Sequence, residues 1–196
     1  LDALADLIKQ FNANKDIYSL VITGEGEKFF SAGADLKLFA TGDKQVAADM
    51  STAFGRAFEV LSQFRGLSIA AINGYAMGGG LEVALACDLR IAESQALMAL
   101  PEAAVGLLPC AGGTQNLAWL VGEGWAKRMI LCGERVDAQK ALDIGLVEAV
   151  TEPGQALAEA MQWAQKSERQ SPTSIAACKR LIQTARREPM FAGMGY

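Results

Sequence analysis

Two glutamates in apolar surroundings are the side chains of this sequence best suited to acid–base chemistry. Glu82 stands near the start of the Ala-rich run LEVALAC, and Glu102 follows Pro101 in ALPEAAVG. Acidic side chains rarely lie among apolar residues without a partner or a role. Two carboxylates in different environments form a natural acid–base pair. The alternative for each glutamate is an ordinary charge at the start of a helix or in a loop.

The absence of histidine narrows the possible chemistry. Without histidine, proton transfer near neutral pH must use carboxylates, lysine, tyrosine or cysteine. Ser-His-Asp and Cys-His catalysis are excluded, and so are metal sites that need histidine. The four cysteines are far apart in the sequence, at Cys87, Cys110, Cys132 and Cys178. We therefore predict no metal site and expect four reduced thiols buried in apolar surroundings.

Two glycine-containing segments could bring backbone N–H groups close to a ligand. The first is GYAMGGGLEVALACD (74–88), in which Gly78 to Gly80 lead into an apolar helix, and the second is SAGAD (31–35). The glycine patterns of known phosphate-binding loops and of the G-x-S-x-G nucleophile turn are absent. Two N–H donors aimed at one oxygen would form an oxyanion hole, in which each donor contributes about 3–4 kcal/mol. Two unrelated turns are the alternative.

The elements that must position these residues alternate between strands and helices. We predict strands at 19–24, 68–73, 88–92, 96–102 and 146–150, and a loop at 25–35. We predict helices at 1–11, 44–64, 112–122, 124–133 and 137–145, followed by two helices that Ser171-Pro172 separates. Because the strands are apolar throughout, they indicate an α/β protein whose sheets are covered by helices.

Composition and charge describe one globular domain, residues 1–196. Hydrophobic residues make up 51% of the chain and the net charge is −4, which argues against nucleic-acid binding by bulk electrostatics. No apolar run approaches the ~20 residues of a membrane span, so we expect no membrane partner and a cytoplasmic location. The chain opens inside a helix and stops without a terminator, which suggests missing ends and leaves organelle targeting open.

A cluster of basic residues lies near the end of the sequence. Lys179, Arg180, Arg186 and Arg187 are spaced to share one helix face. A solvated face is the favoured interpretation, and a stripe that contacts phosphate is the alternative.

Four segments, in their combination and order, resemble the enoyl-CoA hydratase/isomerase (crotonase) superfamily. They are LVITGEGEKFFSAGADLK, AAINGYAMGGGLEVALACDLRIA, LPEAAVGLLPCAGGTQNLAWLVG and GERVDAQKALDIGLVEAV. The resemblance implies an α/β fold with a crotonase-like spiral of β-β-α units over residues 1–150. It assigns 151–196 to the start of a C-terminal helical region, with the family's N- and C-terminal elements missing. It also implies a homotrimer or a dimer of trimers.

The resemblance further implies a site for an acyl-CoA thioester. Matched by position, the backbone N–H groups of Ala34 and Gly79 form the oxyanion hole, and Glu82 and Glu102 are catalytic. The implied substrate and CoA contacts are Ala32, Ala34, Asp35, Leu36, Lys37, Gly78, Gly79 and Cys110. Cys110 replaces a glycine that is usual in the family, so we expect it to narrow or reshape the acyl pocket. No metal or separate cofactor is implied, since coenzyme A is part of the substrate.

The presence of both glutamates favours an enoyl-CoA hydratase of fatty-acid metabolism, such as β-oxidation. In that interpretation, Glu82 activates the water that attacks C3, Glu102 delivers a proton to C2, and the two amides hold the enolate charge. One alternative is an enoyl-CoA delta-isomerase, which moves a proton with one carboxylate. Another is a non-catalytic subunit that binds acyl-CoA.

Overall fold

The computed structural model describes residues 1–39 and 42–186, which form eight strands and seven α-helices. The strands are β1 (Ser19–Thr23), β2 (Phe29–Ser31), β3 (Leu67–Ile72), β4 (Tyr75–Met77), β5 (Leu89–Glu93), β6 (Leu97–Ala99), β7 (Val136–Asp137) and β8 (Ala149–Thr151). The helices are α1 (Asp2–Ala13), α2 (Lys44–Ser62), α3 (Gly79–Ala86), α4 (Gly113–Leu131), α5 (Ala138–Asp143), α6 (Ala156–Glu168) and α7 (Pro172–Thr184). Short 3-10 helices span Leu36–Phe39 and Glu102–Val105.

The strands form two four-stranded sheets. The first sheet has the order β1-β3-β5-β8 and the second has the order β2-β4-β6-β7. Strand pairs are parallel in both sheets, except that β7 runs antiparallel to β6. Along the chain, β1, β3 and β5 each lead into a strand of the second sheet, and a helix follows. This succession is the predicted repeat of β-β-α units.

The side chain of Asn73 ties together two of the turns between the sheets. Its carbonyl oxygen accepts a hydrogen bond from the Gly24 N–H at 3.0 Å. Its amide nitrogen donates to the Gly24 and Gly26 carbonyls at 3.1 and 2.7 Å. The β1–β2 and β3–β4 turns are thereby held side by side, which aligns the strands that lead to the site.

The first sheet is covered on both faces, which explains why its strands are apolar throughout. On β3, Ala70 and Ile72 pack into the main core, which also holds α3 and parts of α2 and α4. The alternate residues Ile69 and Ala71 pack against α6. Apart from Glu82, helix α3 is apolar on every side, and its residues 80–86 are all buried.

Three strands were not predicted from the sequence: β2 lies inside the expected loop 25–35, β4 precedes the glycines, and β7 precedes α5. Each has only two or three residues, too few to show a period. The two helices expected at 112–122 and 124–133 are both present, since α4 consists of two helical parts joined by a kink at Gly122, whose backbone is not helical (φ 78°, ψ 161°).

The expectation of four buried cysteines is wrong for three of them. Cys87 is buried in the core, whereas Cys110, Cys132 and Cys178 are exposed, and all four are free thiols. Apolar neighbours in the sequence misled the prediction. Cys132 follows the end of α4, and Cys178 lies on α7, none of whose residues is buried.

The predicted solvated basic face is also wrong for one of its members. The Lys179 side chain is 11% exposed, and its Nζ lies 2.7 Å from a carboxylate oxygen of Asp88. The same Nζ donates to the carbonyls of Phe64 and Gly66 at 2.7 and 3.1 Å. Lys179 thus fastens α7 to the first sheet. Arg187 lies outside the described residues.

Within residues 1–39 and 42–186, no helix is long and apolar enough to cross a membrane. In the same ranges, no three His, Cys, Asp or Glu side chains are grouped so as to hold a metal ion.

Candidate active site

Three segments that are distant in sequence meet at one edge of the second sheet. Because β2, β4 and β6 are parallel neighbours, their carboxyl ends lie together. This edge is the usual place for ligands in sheets of this kind. Segment 32–37 follows β2, the glycines and α3 follow β4, and Glu102 follows β6.

The two glycine-containing segments are in direct contact. A Cβ added to Gly33 would lie 2.6 Å from the Met77 carbonyl oxygen and 3.1 Å from the Gly79 nitrogen. A Cβ added to Gly80 would lie 2.1 Å from the Ser31 carbonyl oxygen. Neither position has room for a side chain, so these glycines let the two backbones approach each other. The sequence predicted both loops but could not show that they meet.

The N–H groups of Ala34 and Gly79 are available to a ligand. Gly79 is the first residue of α3, where an amide has no acceptor within the helix. In the described part of the chain, neither N–H donates a hydrogen bond to another protein atom. Both residues line the same cavity. The arrangement fits the predicted pair of donors for one oxygen.

Glu82 is held as a hydrogen-bond acceptor at the start of another helix. Its side chain is 2% exposed, and one carboxylate oxygen accepts from the N–H groups of Ala111 and Gly113 at 2.8 and 2.9 Å. Gly113 begins α4, so the positive end of that helix dipole faces the carboxylate. Burial raises the pKa of Glu82, and the backbone hydrogen bonds oppose this effect. The charged form of Glu82 therefore has two fixed hydrogen-bond donors.

Glu102 lies in the opposite kind of environment. Both of its carboxylate oxygens are buried and have no hydrogen-bond partner among the described residues. The backbone of Gly78 packs against it, since a Cβ there would lie 3.1 Å from Glu102 Oε1. Burial, with a further contribution from the charge of Glu82, raises the pKa of Glu102 to about 7. Near neutral pH, a large share of Glu102 is therefore protonated and able to donate.

Both glutamates face a cavity of about 750 Å³. Its remaining walls are mainly apolar, as expected for a site that encloses an organic ligand. They include Ala47, Met50, Phe54, Met77, Ala104, Val105, Leu107 and Leu108. The cavity therefore combines an apolar volume with two carboxylates and two unpaired amides.

Most of the predicted substrate contacts line this cavity. They are Ala32, Ala34, Leu36, Gly78, Gly79 and Cys110. Asp35 and Lys37 are exposed and are not on its wall. The Asp35 carboxylate instead accepts the backbone N–H of Lys37 at 3.0 Å, which shapes the turn after β2.

Several residues on the cavity wall were missed as site residues, and three of them are Phe54, Ser51 and Arg135. The spacing of Phe54 along its amphipathic helix is typical of a core residue. In the structure, however, its ring packs against the glycine loop, since a Cβ added to Gly79 would lie 2.8 Å from it. Ser51 lies beside it on α2 and gives no signal in the sequence. Arg135 directly precedes β7, which starts where β6 ends because the two strands are antiparallel. Arg135 could have been assigned to the cavity from the sequence only if strand β7 had been predicted.

Comparisons with known proteins agree with the fold. The enoyl-CoA hydratase/isomerase family model matches residues 1–194. The short-chain-enoyl-CoA hydratase of Clostridium acetobutylicum is 38% identical over 184 residues, or 90% of this chain and 67% of that protein. The structure of Pseudomonas aeruginosa DspI is 65% identical with a TM-score of 0.95, covering 97% of this chain and 78% of that one. An enoyl-CoA hydratase from Bacillus anthracis is 36% identical with a TM-score of 0.94, covering 98% and 75%. The predicted fold is confirmed, and the chain belongs to the enoyl-CoA hydratase/isomerase family, the crotonase superfamily.

Proposed function

We propose that the protein is an enoyl-CoA hydratase, which adds water across the C2–C3 double bond of a trans-2-enoyl-CoA. The observation that carries this proposal is the contrast between its two carboxyl groups. Glu82 has backbone donors for its anion, whereas Glu102 has no donor within residues 1–39 and 42–186 and a pKa of about 7. A carboxylate with fixed donors for its anion and a carboxyl group that is partly protonated near pH 7 can serve as the base and the acid that hydration needs.

The geometry suggests a role for each group. The thioester oxygen accepts hydrogen bonds from the Ala34 and Gly79 amides, which stabilise the negative charge that develops there. Glu82 takes a proton from water as the water oxygen bonds to C3. The electron pair of the double bond moves onto the thioester as an enolate. Glu102 then gives its proton to C2, and the thioester carbonyl re-forms.

The test follows loss of the enoyl-thioester absorbance with crotonyl-CoA, using the full-length protein. We expect Glu82→Gln and Glu102→Gln each to lower kcat by about 10²–10⁴-fold, the usual contribution of a general acid or base. Glu168→Gln, a change of an exposed glutamate at the end of α6, serves as the control and should leave the rate unchanged. Full hydration activity in both site variants would contradict the proposal.

Product analysis separates the proposed hydratase from the two alternatives. Hydration yields a 3-hydroxyacyl-CoA, whereas an isomerase yields only the acyl-CoA with a shifted double bond. A non-catalytic subunit binds acyl-CoA without turnover. Formation of the hydroxyacyl product by the unmodified protein is therefore the required result.

A further inference from the structure

Two polar side chains meet across the cavity, and the proposed reaction uses neither. Ser51 projects from α2, and Cys110 lies on the loop that leads to α4. The Ser51 hydroxyl is close enough to the Cys110 thiol to lower its pKa, and both side chains line the cavity. The two residues therefore lie near each other on walls of the cavity that belong to different elements.

The position of Cys110 relative to Glu82 places this pair close to one substrate atom. Cys110 directly precedes Ala111, whose backbone N–H donates to the Glu82 carboxylate at 2.8 Å, as that of Gly113 does at 2.9 Å. In the proposed reaction, Glu82 holds the water that attacks C3. In that reaction, C3 and the first carbon beyond it would lie near Cys110, which lines the same cavity as Glu82.

The thiol is poorly suited to act as a nucleophile at this position. Although Cys110 is an exposed residue, partial burial of its thiol in the cavity wall raises the pKa of Cys110. The charges of Glu82 and Glu102 raise this pKa further, and the nearby Ser51 hydroxyl opposes the rise. A protonated thiol adds slowly to an electrophilic carbon. The contribution of Cys110 is thus the space that it occupies.

We propose that Cys110, supported by Ser51, is a specificity-determining residue that forms a constriction beside C3 of the acyl group. The constriction favours enoyl-CoA thioesters with hydrogen at C3 over those that carry a methyl group there. This inference rests on the proposed function, because the location of C3 follows from the role of Glu82. The backbone of Cys110 needs no special conformation, since no residue other than glycine has a positive φ in the described ranges.

The test compares hydration of crotonyl-CoA with hydration of 3-methylcrotonyl-CoA by the full-length protein. One methyl group changes selectivity in a tight pocket by about 10-fold or more. We therefore expect Cys110→Gly to raise the kcat/KM ratio of the methylated to the plain substrate at least about tenfold. Cys110→Ala should shift the ratio in the same direction by less. Cys132→Gly, a change of an exposed cysteine after α4, should leave it unchanged.

A binding measurement keeps this inference separate from the proposed reaction. The dissociation constants of butyryl-CoA and 3-methylbutyryl-CoA report the constriction without turnover. Butyryl-CoA should also protect Cys110 from iodoacetamide, as read by mass spectrometry, while Cys132 and Cys178 remain labelled. Unchanged ratios in Cys110→Gly, or no protection of Cys110, would overturn the constriction. Lack of crotonyl-CoA hydration by the unmodified protein, with these binding results intact, would overturn only the proposed reaction.

Discussion

At the residue scale, the two site glutamates differ in what surrounds them rather than in their chemistry. Glu82 has two backbone N–H groups within 2.9 Å, and Glu102 has no partner among the residues described. Such a contrast separates the acidities of two otherwise identical groups. In the proposed reaction, this contrast would allow one group to act as a carboxylate and the other as a carboxylic acid at the same pH.

The raised pKa of Glu102 predicts how activity depends on pH. Glu102 must be protonated to donate to C2, so kcat/KM should fall above pH 7, approaching tenfold per pH unit. A pH–rate profile with crotonyl-CoA checks this expectation. A profile that stays flat to pH 9 would show that Glu102 is not the proton donor.

The same pKa predicts a pH dependence of stability. The carboxyl of Glu102 titrates near 7 in the folded chain and near 4.5 when unfolded, so the folded state binds more protons between these values. The free energy of unfolding should therefore decrease as pH rises from about 5 to 7. Urea denaturation at a series of pH values measures this slope, and Glu102→Gln should make it shallower.

The residues themselves could reveal the two glutamates but not the environments that distinguish them, and separate roles for the two were implied only by the resemblance to the crotonase superfamily. Residue type, the lack of histidine and apolar neighbours all pointed to Glu82 and Glu102. The groups that distinguish them come from elsewhere in the chain, since the donors to Glu82 are the amides of Ala111 and Gly113. No local pattern around Glu82 contains that information.

At the scale of elements, the site depends on close contact between two loops. Gly80→Ala would place a Cβ 2.1 Å from the Ser31 carbonyl oxygen. The loops must separate to relieve this clash, and the Ala34 and Gly79 amides would then no longer point to one oxygen. We expect kcat/KM for crotonyl-CoA to fall by about 10²-fold or more, the cost of losing one donor.

The matched control for this prediction is Gly124→Ala in α4. A Cβ at Gly124 meets nothing within 4 Å, and alanine favours a helix over glycine by up to about 1 kcal/mol. We expect unchanged activity and equal or higher stability. If Gly80→Ala is as active as Gly124→Ala, contact between the loops is not needed for the site.

Short elements mark the limit of what the sequence predicted at this scale. The long helices and the strands of the first sheet were found because their apolar residues recur over many positions. Strands β2 and β4 have three residues each, yet their parallel pairing brings the two glycine loops together. Pairing between such strands is a property of the fold and not of a local pattern.

At the scale of the whole molecule, β5 links parts of the chain that are far apart in sequence. Arg90 is 2% exposed and donates to the carbonyls of Leu146 and Cys87 at 2.8 and 3.0 Å. Its Nη2 lies 2.5 Å from a carboxylate oxygen of Glu148. Asp88, just before β5, also holds Lys179 of α7. The burial of Arg90 was not predicted, because its neighbours in the sequence are typical of an ordinary apolar strand.

The ion pair between Arg90 and Glu148 should therefore contribute to the stability of the entire fold. Glu148→Gln leaves the guanidinium buried without its counter-charge, a change that costs about 3–5 kcal/mol in fully buried pairs. Since 30% of the Glu148 side chain is exposed, we expect a loss at the lower end, about 3 kcal/mol. A lower urea midpoint with an unchanged slope would measure this loss.

The surface pair between Arg128 and Glu134 provides the comparison that makes this test specific. Both guanidinium contacts are 2.7 Å long, but the two side chains are 54% and 32% exposed. Solvent screens such a pair, so Glu134→Gln should cost no more than about 1 kcal/mol. Equal losses in the two variants would mean that burial adds nothing to the Arg90 pair. A clearly larger loss for Glu148→Gln would show that joining β5 to the segment before β8 stabilises the whole chain, including the sheet edge that carries the site.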